Sequence, residues 1–330
     1  MKAYNNDISI EMKTDENIQD LSADVVLPEI MANLQKVGLT TIESLAKASP
    51  QKVSEATSLD MSQAVDLCKS ATRKILNKHA KESLRFTNAH NLSTIKTEGF
   101  TTGSKDLDGL LGGGIEVGAV TQFYGDPVTG KTQICHTLCV TLPLPFEAIY
   151  IDSEHRFRPE RIKQISTSRG IDAQSVLRRV KVAKPFDSNE QELCVEVASS
   201  IVRRPGAMVK LLIIDSMTDL YRANFYGRKN LAERQQRLNV QMHNLSRLAQ
   251  ENNIAVVVTN QTSDTPDSFS NSKANPIGGK SLLYASTYII FLKGSRYDRL
   301  HAKLIRSPFQ QPDQIKFAID ENGIGDIFDA

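Results

Sequence analysis

No apolar run in this 330-residue chain approaches the ~20 residues that a membrane-crossing helix needs. The opening Met1-Lys2-Ala3-Tyr4-Asn5-Asn6-Asp7 holds no apolar signal core. Membrane insertion and export are therefore not expected, and the reading is a soluble protein of the cytoplasm. Cysteine is scarce: Cys68, Cys135, Cys139 and Cys194 form no CxxC pair and no zinc-ligand spacing, which argues against a disulfide framework and fits reduced thiols. Cys135-His136 with Cys139 is the cluster that a metal could use, but these residues continue an apolar helix face, where thiols act as small hydrophobes. Net charge is nearly absent, with 40 Lys plus Arg against 38 Asp plus Glu. Whole-molecule attraction for a polyanion is thereby excluded, and any such partner needs a local basic path. There is no repeat of solenoid period and no low-complexity tract.

What is present is ordinary globular composition, 40% hydrophobic and 24% charged. At this length one sizeable domain with a smaller one is expected. Residues 1–26 are polar and acidic without periodicity and read as a flexible tail. Over residues 27–78 a helical pattern of Ile30, Leu34, Val37, Ile42, Leu45, Ala46, Val65, Leu67, Ile75 and Leu76, broken by Gly38 and Pro50, predicts a small all-α domain. Residues 79–99 read as a linker. Over residues 100–330 short apolar runs (120–124, 148–151, 210–214, 254–259, 287–292) alternate with helical stretches (132–140, 159–169, 189–203, 231–252). Leu193, Val197 and Ile201 recur at i, i+4, as do Leu238, Met242 and Leu245 at helical spacing. Such alternation predicts an α/β core with a mostly parallel sheet covered on both faces.

Gly125-Asp126-Pro127-Val128-Thr129-Gly130-Lys131-Thr132 matches G-x-x-x-x-G-K-[ST] between a predicted strand and a predicted helix, the context that motif requires. The two glycines let backbone N–H groups turn toward phosphate oxygens, Lys131 reaches the β and γ phosphates, and the Thr132 hydroxyl binds Mg²⁺. ATP with Mg²⁺ is the expected ligand. Leu211-Leu212-Ile213-Ile214 ends in Asp215, which sets a carboxylate beyond a strand's end, where Mg²⁺ and its water need an acceptor. Glu154 follows the run Tyr150-Ile151-Asp152-Ser153 and is either the group that orients the attacking water or a surface carboxylate opening a loop. Asn260-Gln261 ends another strand as a γ-phosphate sensor or as a polar cap. Arg222, Arg228, Lys229, Arg234 and Arg237 against Glu233 form either a basic path or a solvated charged face.

The string from Phe123 to Gln133, with Phe157-Arg158-Pro159-Glu160-Arg161, Leu211 to Ser216, Tyr221-Arg222, Gly227-Arg228, Arg234-Gln235 and Pro276-Ile277-Gly278-Gly279, resembles the RadA branch of the RecA-type recombinases. The resemblance covers residues 101–328 strongly and the helical domain loosely. It implies a RecA-like P-loop ATPase core and ATP-dependent assembly of the chain's own copies, as filament or ring, on single-stranded DNA. Homologous pairing and strand exchange with double-stranded DNA would follow, in recombinational repair. It also implies that Lys131 and Thr132 hold phosphate and Mg²⁺, that Glu154 is the catalytic carboxylate, and that Asp215 serves the metal. Gln261 then senses the γ phosphate and Arg161 stacks on adenine. DNA is implied at two loops: residues 221–237, with Arg222, Phe225, Arg228, Lys229 and Arg234, and residues 262–275, with Phe269 and Lys273.

Phe86-Thr87-Asn88-Ala89 matches the family's F-x-x-A tether, in which the Phe enters a pocket on the neighbouring subunit. By position the acceptor is expected at Ala183, Leu193 and Val197. Arg306, with Pro312 and Asp313 after it, resembles a segment that closes over the neighbour's ATP. The family usually has there an Asp that binds a monovalent cation; the Arg306 guanidinium is expected to pair with phosphate directly instead. Other departures are His155-Arg156 where Gly-Thr is usual, Lys280 where His or Asn is usual, and Thr265 in place of a basic residue. The N-terminal domain lacks a Gly-x-Gly hairpin, so it reads as a degenerate helix-hairpin-helix, with Lys69, Arg73, Lys74 and Lys78 left for weak duplex contact. Two readings result: a strand-exchange recombinase, and a RadA-like paralogue that binds DNA as a mediator without exchange. A hexameric helicase on the same core fits the tether less well.

Overall fold

The computed structural model describes residues 28–78, 88–90, 98–262, 276–278, 282, 284–294 and 300–327, and the chain divides into two compact units, Met1–Lys96 and Thr97–Ala330. The expected tail, Phe86, Thr265, Phe269, Lys273 and Lys280 lie outside the described residues, as do the side chains of residues 75–78 and of Arg228.

The first unit holds α1 (Pro28–Lys36), α2 (Ile42–Lys47), α3 (Pro50–Thr57) and α4 (Met61–Lys78). Local chemistry sets their ends. Thr41 and Ser44 form a reciprocal capping box at the start of α2, each backbone N–H donating to the other's hydroxyl at 3.0 Å. Ser49 caps α3, whose first residue is Pro50, where a missing N–H costs nothing. Leu34, Leu45, Val53, Ala64, Leu67 and Ala71 close the core. Val37, expected among them, lies just past α1 and is exposed.

The second unit runs β1 (Gly99–Phe100), α5 (Lys105–Leu111), β2 (Ile115–Glu116), β3 (Val120–Gly125), α6 (Lys131–Thr141) and β4 (Glu147–Asp152). It continues α7 (Pro159–Ser168), α8 (Ala173–Arg179), β5 (Val180–Ala183), α9 (Ser188–Val202), β6 (Val209–Asp215), α10 (Asp219–Asn224) and α11 (Leu231–Asn252). It ends β7 (Ala255–Asn260), β8 (Tyr288–Lys293), β9 (Leu300–Arg306), β10 (Gln314–Asp320) and β11 (Gly323–Asp326). Among the described residues β3 to β11 form one nine-stranded sheet in the order β11-β10-β9-β8-β3-β7-β6-β4-β5. The stretch from β8 to β5 is parallel, and β9, β10 and β11 add antiparallel to the β8 edge. This is the α/β arrangement with a mostly parallel sheet that the alternation of runs predicts.

The five predicted strands form because unbroken apolar runs suit a sheet covered on both faces. On one face α6 and α7 bury Ile134, Leu138, Ile162 and Ile165; on the other α9 and α11 bury Val195, Ala198, Leu238, Met242 and Leu245. The parallel register places the carboxyl ends of the central strands together: Asp152 pairs with Asp215, and Tyr124 with Asn260. One expected pattern turns out differently. The face that α9 buries is Gln191, Val195, Ala198 and Val202, whereas Leu193 and Val197 point outward, 58% and 50% exposed.

Candidate nucleotide site and nucleic-acid interface

Gly125 ends β3 where a Cβ would lie 2.3 Å from the Leu292 carbonyl oxygen, so only glycine lets the two backbones approach. Gly130 begins α6 in the left-handed region at φ 88°. Between them Val128 also adopts φ 66°, a conformation that a β-branched residue holds only under strain, and its side chain is exposed. Lys131 folds back over the loop: Nζ donates to the carbonyls of Gly125 at 2.8 Å and Asp126 at 2.7 Å, and to Thr129 Oγ1 at 3.3 Å. Burial lowers its pKa, against the pull of Glu154, Asp215 and Asp126. Thr132 follows in the first turn of α6.

Asp215, 2% exposed at the end of β6, accepts hydrogen bonds from the Tyr150 hydroxyl at 2.7 Å and from the Thr259 hydroxyl. The two hydroxyls hold the carboxylate while leaving it further lone pairs. Neither was singled out from the sequence, because each is one polar residue inside an apolar run.

Glu154 follows β4 in a tight turn built by Asp152, whose fully buried carboxylate accepts the backbone N–H groups of Arg156 and Phe157 at 2.9 Å each. His155 reverses the chain at φ 55°. Glu154 Oε1 accepts from Gln261 Nε2 at 3.3 Å, and Oε2 pairs with Arg156 Nε at 3.2 Å. Burial pushes the Glu154 pKa up, Asp215 adds to this, and Arg156 opposes it. Gln261 Oε1 accepts in turn from Arg222 Nη1 at 3.1 Å. A hydrogen-bonded line thus joins Arg222, Gln261 and Glu154.

Around this centre, Arg161 Nε donates to Gln133 at 2.7 Å and Nη2 to the Asp320 carbonyl at 2.6 Å, which fixes the guanidinium plane beside α6. Arg306, at the end of β9, donates to the Tyr284 carbonyl at 3.3 Å and lies 5.9 Å over that ring. Asp313 is tied to β9 through its carbonyl, which accepts from Leu304 N at 2.8 Å, and Pro312 beside it is exposed. In the basic segment Arg222 and Lys229 are exposed and Arg234 is half-buried. Phe225 is half-buried against Tyr221, with the Arg237 guanidinium 5.0 Å above its ring. Arg237 pairs with Glu192 at 2.8 Å, so its charge is spent inside the fold. Cys135 and Cys139 are fully buried on α6 and burial raises both thiols, the apolar role expected of them.

His136 couples the loop of Glu154 to α6. Its Nε2 accepts from Arg158 N at 3.3 Å, and its ring packs against Tyr150 and Phe157. Burial, aided by Arg161, lowers its pKa from 6.5 to about 4. The folded state therefore holds the neutral ring while the unfolded chain takes up a proton, so stability present above the unfolded value is lost as pH falls from 6.5 toward 4. Between pH 7 and 5 this amounts to about 2 kcal/mol. Denaturant unfolding of wild type and His136→Gln at both pH values checks it. The variant is expected to lose less on acidification, and equal losses would clear His136.

A G-x-x-x-x-G-K-T loop between strand and helix, a strand-end aspartate and a hydrogen-bonded glutamate on the carboxyl edge of this sheet define a RecA-like P-loop nucleotide-binding protein. The Rad51 family model matches residues 94–327. The chain is 37% identical over 320 residues to the DNA repair and recombination protein RadA of Aeropyrum pernix, covering 94% of this chain and 97% of that one. It is 36% identical over 323 residues to the RadA of the same description from Metallosphaera sedula, covering 96% and 97%. The chain belongs to the Rad51 family, and is a RecA-type recombinase with the ATPase activity of that family. Among the described residues no helix is long and apolar enough to cross a membrane.

Proposed function

We propose that this recombinase binds ATP with Mg²⁺ in the loop of residues 125–132, assembles its copies on single-stranded DNA in the cytoplasm, and exchanges strands with a homologous duplex. The observation that carries this reading is the convergence on Glu154: the charges of Lys131 and Asp215 act on one another and on it, and Gln261 joins it to Arg222 of the basic segment. The loop that turns at Gly130 with the Lys131 ammonium folded over it suits a phosphate, and the oxygen donors of Thr132 and Asp215 suit a hard divalent cation. When bound, Mg²⁺ neutralises charge on the phosphates. Lys131 supplies the fixed cation, Glu154 accepts the proton of the attacking water, and Gln261 donates its amide toward the γ phosphate. A DNA phosphate that draws Arg222 away releases Gln261 Oε1, and so reports DNA to the nucleotide. Arg222, Arg228, Lys229 and Arg234 follow the DNA backbone, with Phe269 and Lys273 contributing from the second loop. The similarity runs through the whole P-loop core, which favours exchange over a mediator role.

Glu154→Gln tests the reading. The variant is expected to keep ATP and DNA affinity while kcat falls by about 10²–10⁴, leaving persistent filaments. Wild-type hydrolysis in that variant would make Glu154 a loop carboxylate only.

A further inference from the structure

We propose that Arg156 is a positioning residue for hydrolysis, holding the outer oxygen of Glu154 while Gln261 holds the inner one. The inference rests on the reading of Glu154 as the catalytic carboxylate and adds a residue to it. Three features of the turn converge on this contact. Asp152, with no exposed surface, takes the amides of Arg156 and Phe157 and thereby fixes where the Arg156 side chain begins. His155 stands in the left-handed region, its ring 4.8 Å from that of Phe186, and this reversal brings residues 154 and 156 to the same side. Arg158 Nη1 closes the turn by donating to the carbonyls of His155 at 3.1 Å and Phe157 at 3.0 Å. The result is the 3.2 Å contact between Arg156 Nε and Glu154 Oε2.

The physical role follows from the surroundings of Glu154. Its side chain is only 10% exposed and feels the negative charges of Asp215 from the end of β6 and Asp219 from the start of α10. Such a carboxyl group is disfavoured as an anion and free to rotate toward solvent unless a donor holds it. The Arg156 guanidinium answers both as an ion pair: its charge favours the anion and, lying against Oε2, opposes rotation of the group away from it. Arg156 itself is 61% exposed, so water screens part of its effect. The expected contribution is accordingly a modest one, well below that of removing the carboxylate. Two residues thus act as a pair of stays on the group that must meet the attacking water.

The test is steady-state ATP hydrolysis by the full chain on single-stranded DNA, for wild type, Arg156→Ala, Arg156→Lys, Glu154→Gln and the double variant Glu154→Gln/Arg156→Ala, with melting temperatures for all. Arg156→Ala is expected to lower kcat about tenfold with KM for ATP within about twofold, the signature of lost orientation at unchanged binding. Arg156→Lys is expected to recover much of the rate, and in the Glu154→Gln background the Arg156→Ala substitution should add no further loss. Unchanged kcat in Arg156→Ala beside a slow Glu154→Gln would overturn the role of Arg156 and leave the site reading intact. Equal losses in the Ala and Lys variants with lowered melting temperatures would make the pair merely structural and overturn it as well. A fast Glu154→Gln would instead remove the reading on which the proposal stands.

Discussion

Lys131→Ala is expected to weaken ATP binding by at least about a hundredfold while leaving the fold in place. The ammonium group lies within hydrogen-bond distance of two loop carbonyls and a hydroxyl, the span over which phosphate oxygens would sit, and it is partly withdrawn from water. Truncating one partner of a desolvated, hydrogen-bonded charge pair costs about 2–5 kcal/mol, and a polyphosphate has no second fixed lysine in the motif to turn to. Of the two carbonyls that Lys131 leaves behind, that of Asp126 belongs to an exposed residue, so the loss in folding stability should be small beside the loss in affinity. Titration with a fluorescent ATP analogue, with circular dichroism as the control, measures both. Unchanged affinity would remove the loop from the mechanism.

The second large effect is on assembly. Replacing Leu193 and Val197 together by aspartate is expected to turn oligomers into monomers, as is Phe86→Glu. Leu193 and Val197 are one turn apart on the outer face of α9, both half or more exposed, and Ala183 ends β5, the edge strand of the sheet. An exposed apolar turn, and an outer strand edge that pairs with no other strand among the described residues, suit an extended segment that adds backbone hydrogen bonds and sinks one aromatic ring. Losing such an anchor costs about 2–4 kcal/mol, enough to shift association 30-fold or more. Light scattering reads the outcome, and an unaltered size distribution refutes the tether. The same monomers should hydrolyse ATP slowly on DNA if Arg306 reaches the neighbour's phosphates, and wild-type hydrolysis should then differ little between sodium and potassium.

Much of the nucleotide centre was legible because its motif is contiguous: Gly125 to Thr132 must be written in one run for the backbone to close round a phosphate. Asp215 was legible for a related reason, since four apolar residues ending in a carboxylate mark a buried strand that reaches an edge. The grip on these groups was not legible. Tyr150, Thr259 and Arg156 meet their partners only through strand register or a turn with positive φ, neither of which leaves a spacing signal. Unbroken apolar runs mark only the central strands: β9 alternates buried with less buried residues, in β10 Phe317 alone is buried, and β5 has only four residues, so none of the three shows such a run. Periodicity alone does not give the outward turn of Leu193 and Val197, because α9 is apolar on two adjacent stripes; their place at the surface is expected only from the resemblance, as acceptors of the tether.

The central place of β3 sets a timetable for synthesis. It ends at residue 125, yet its two neighbours, β7 and β8, begin only at residues 255 and 288. At about 5–20 residues per second, the completion of β8 trails that of β3 by roughly ten to thirty seconds. Until β7 is made the nascent chain carries Phe123 and Tyr124 on a strand with neither lateral partner, while β4, β5 and β6 can already pair among themselves. The half of the sheet bearing Asp215 can therefore form on the ribosome before the half that carries the loop of residues 125–132, leaving an uncoupled apolar strand until the last third of the chain emerges.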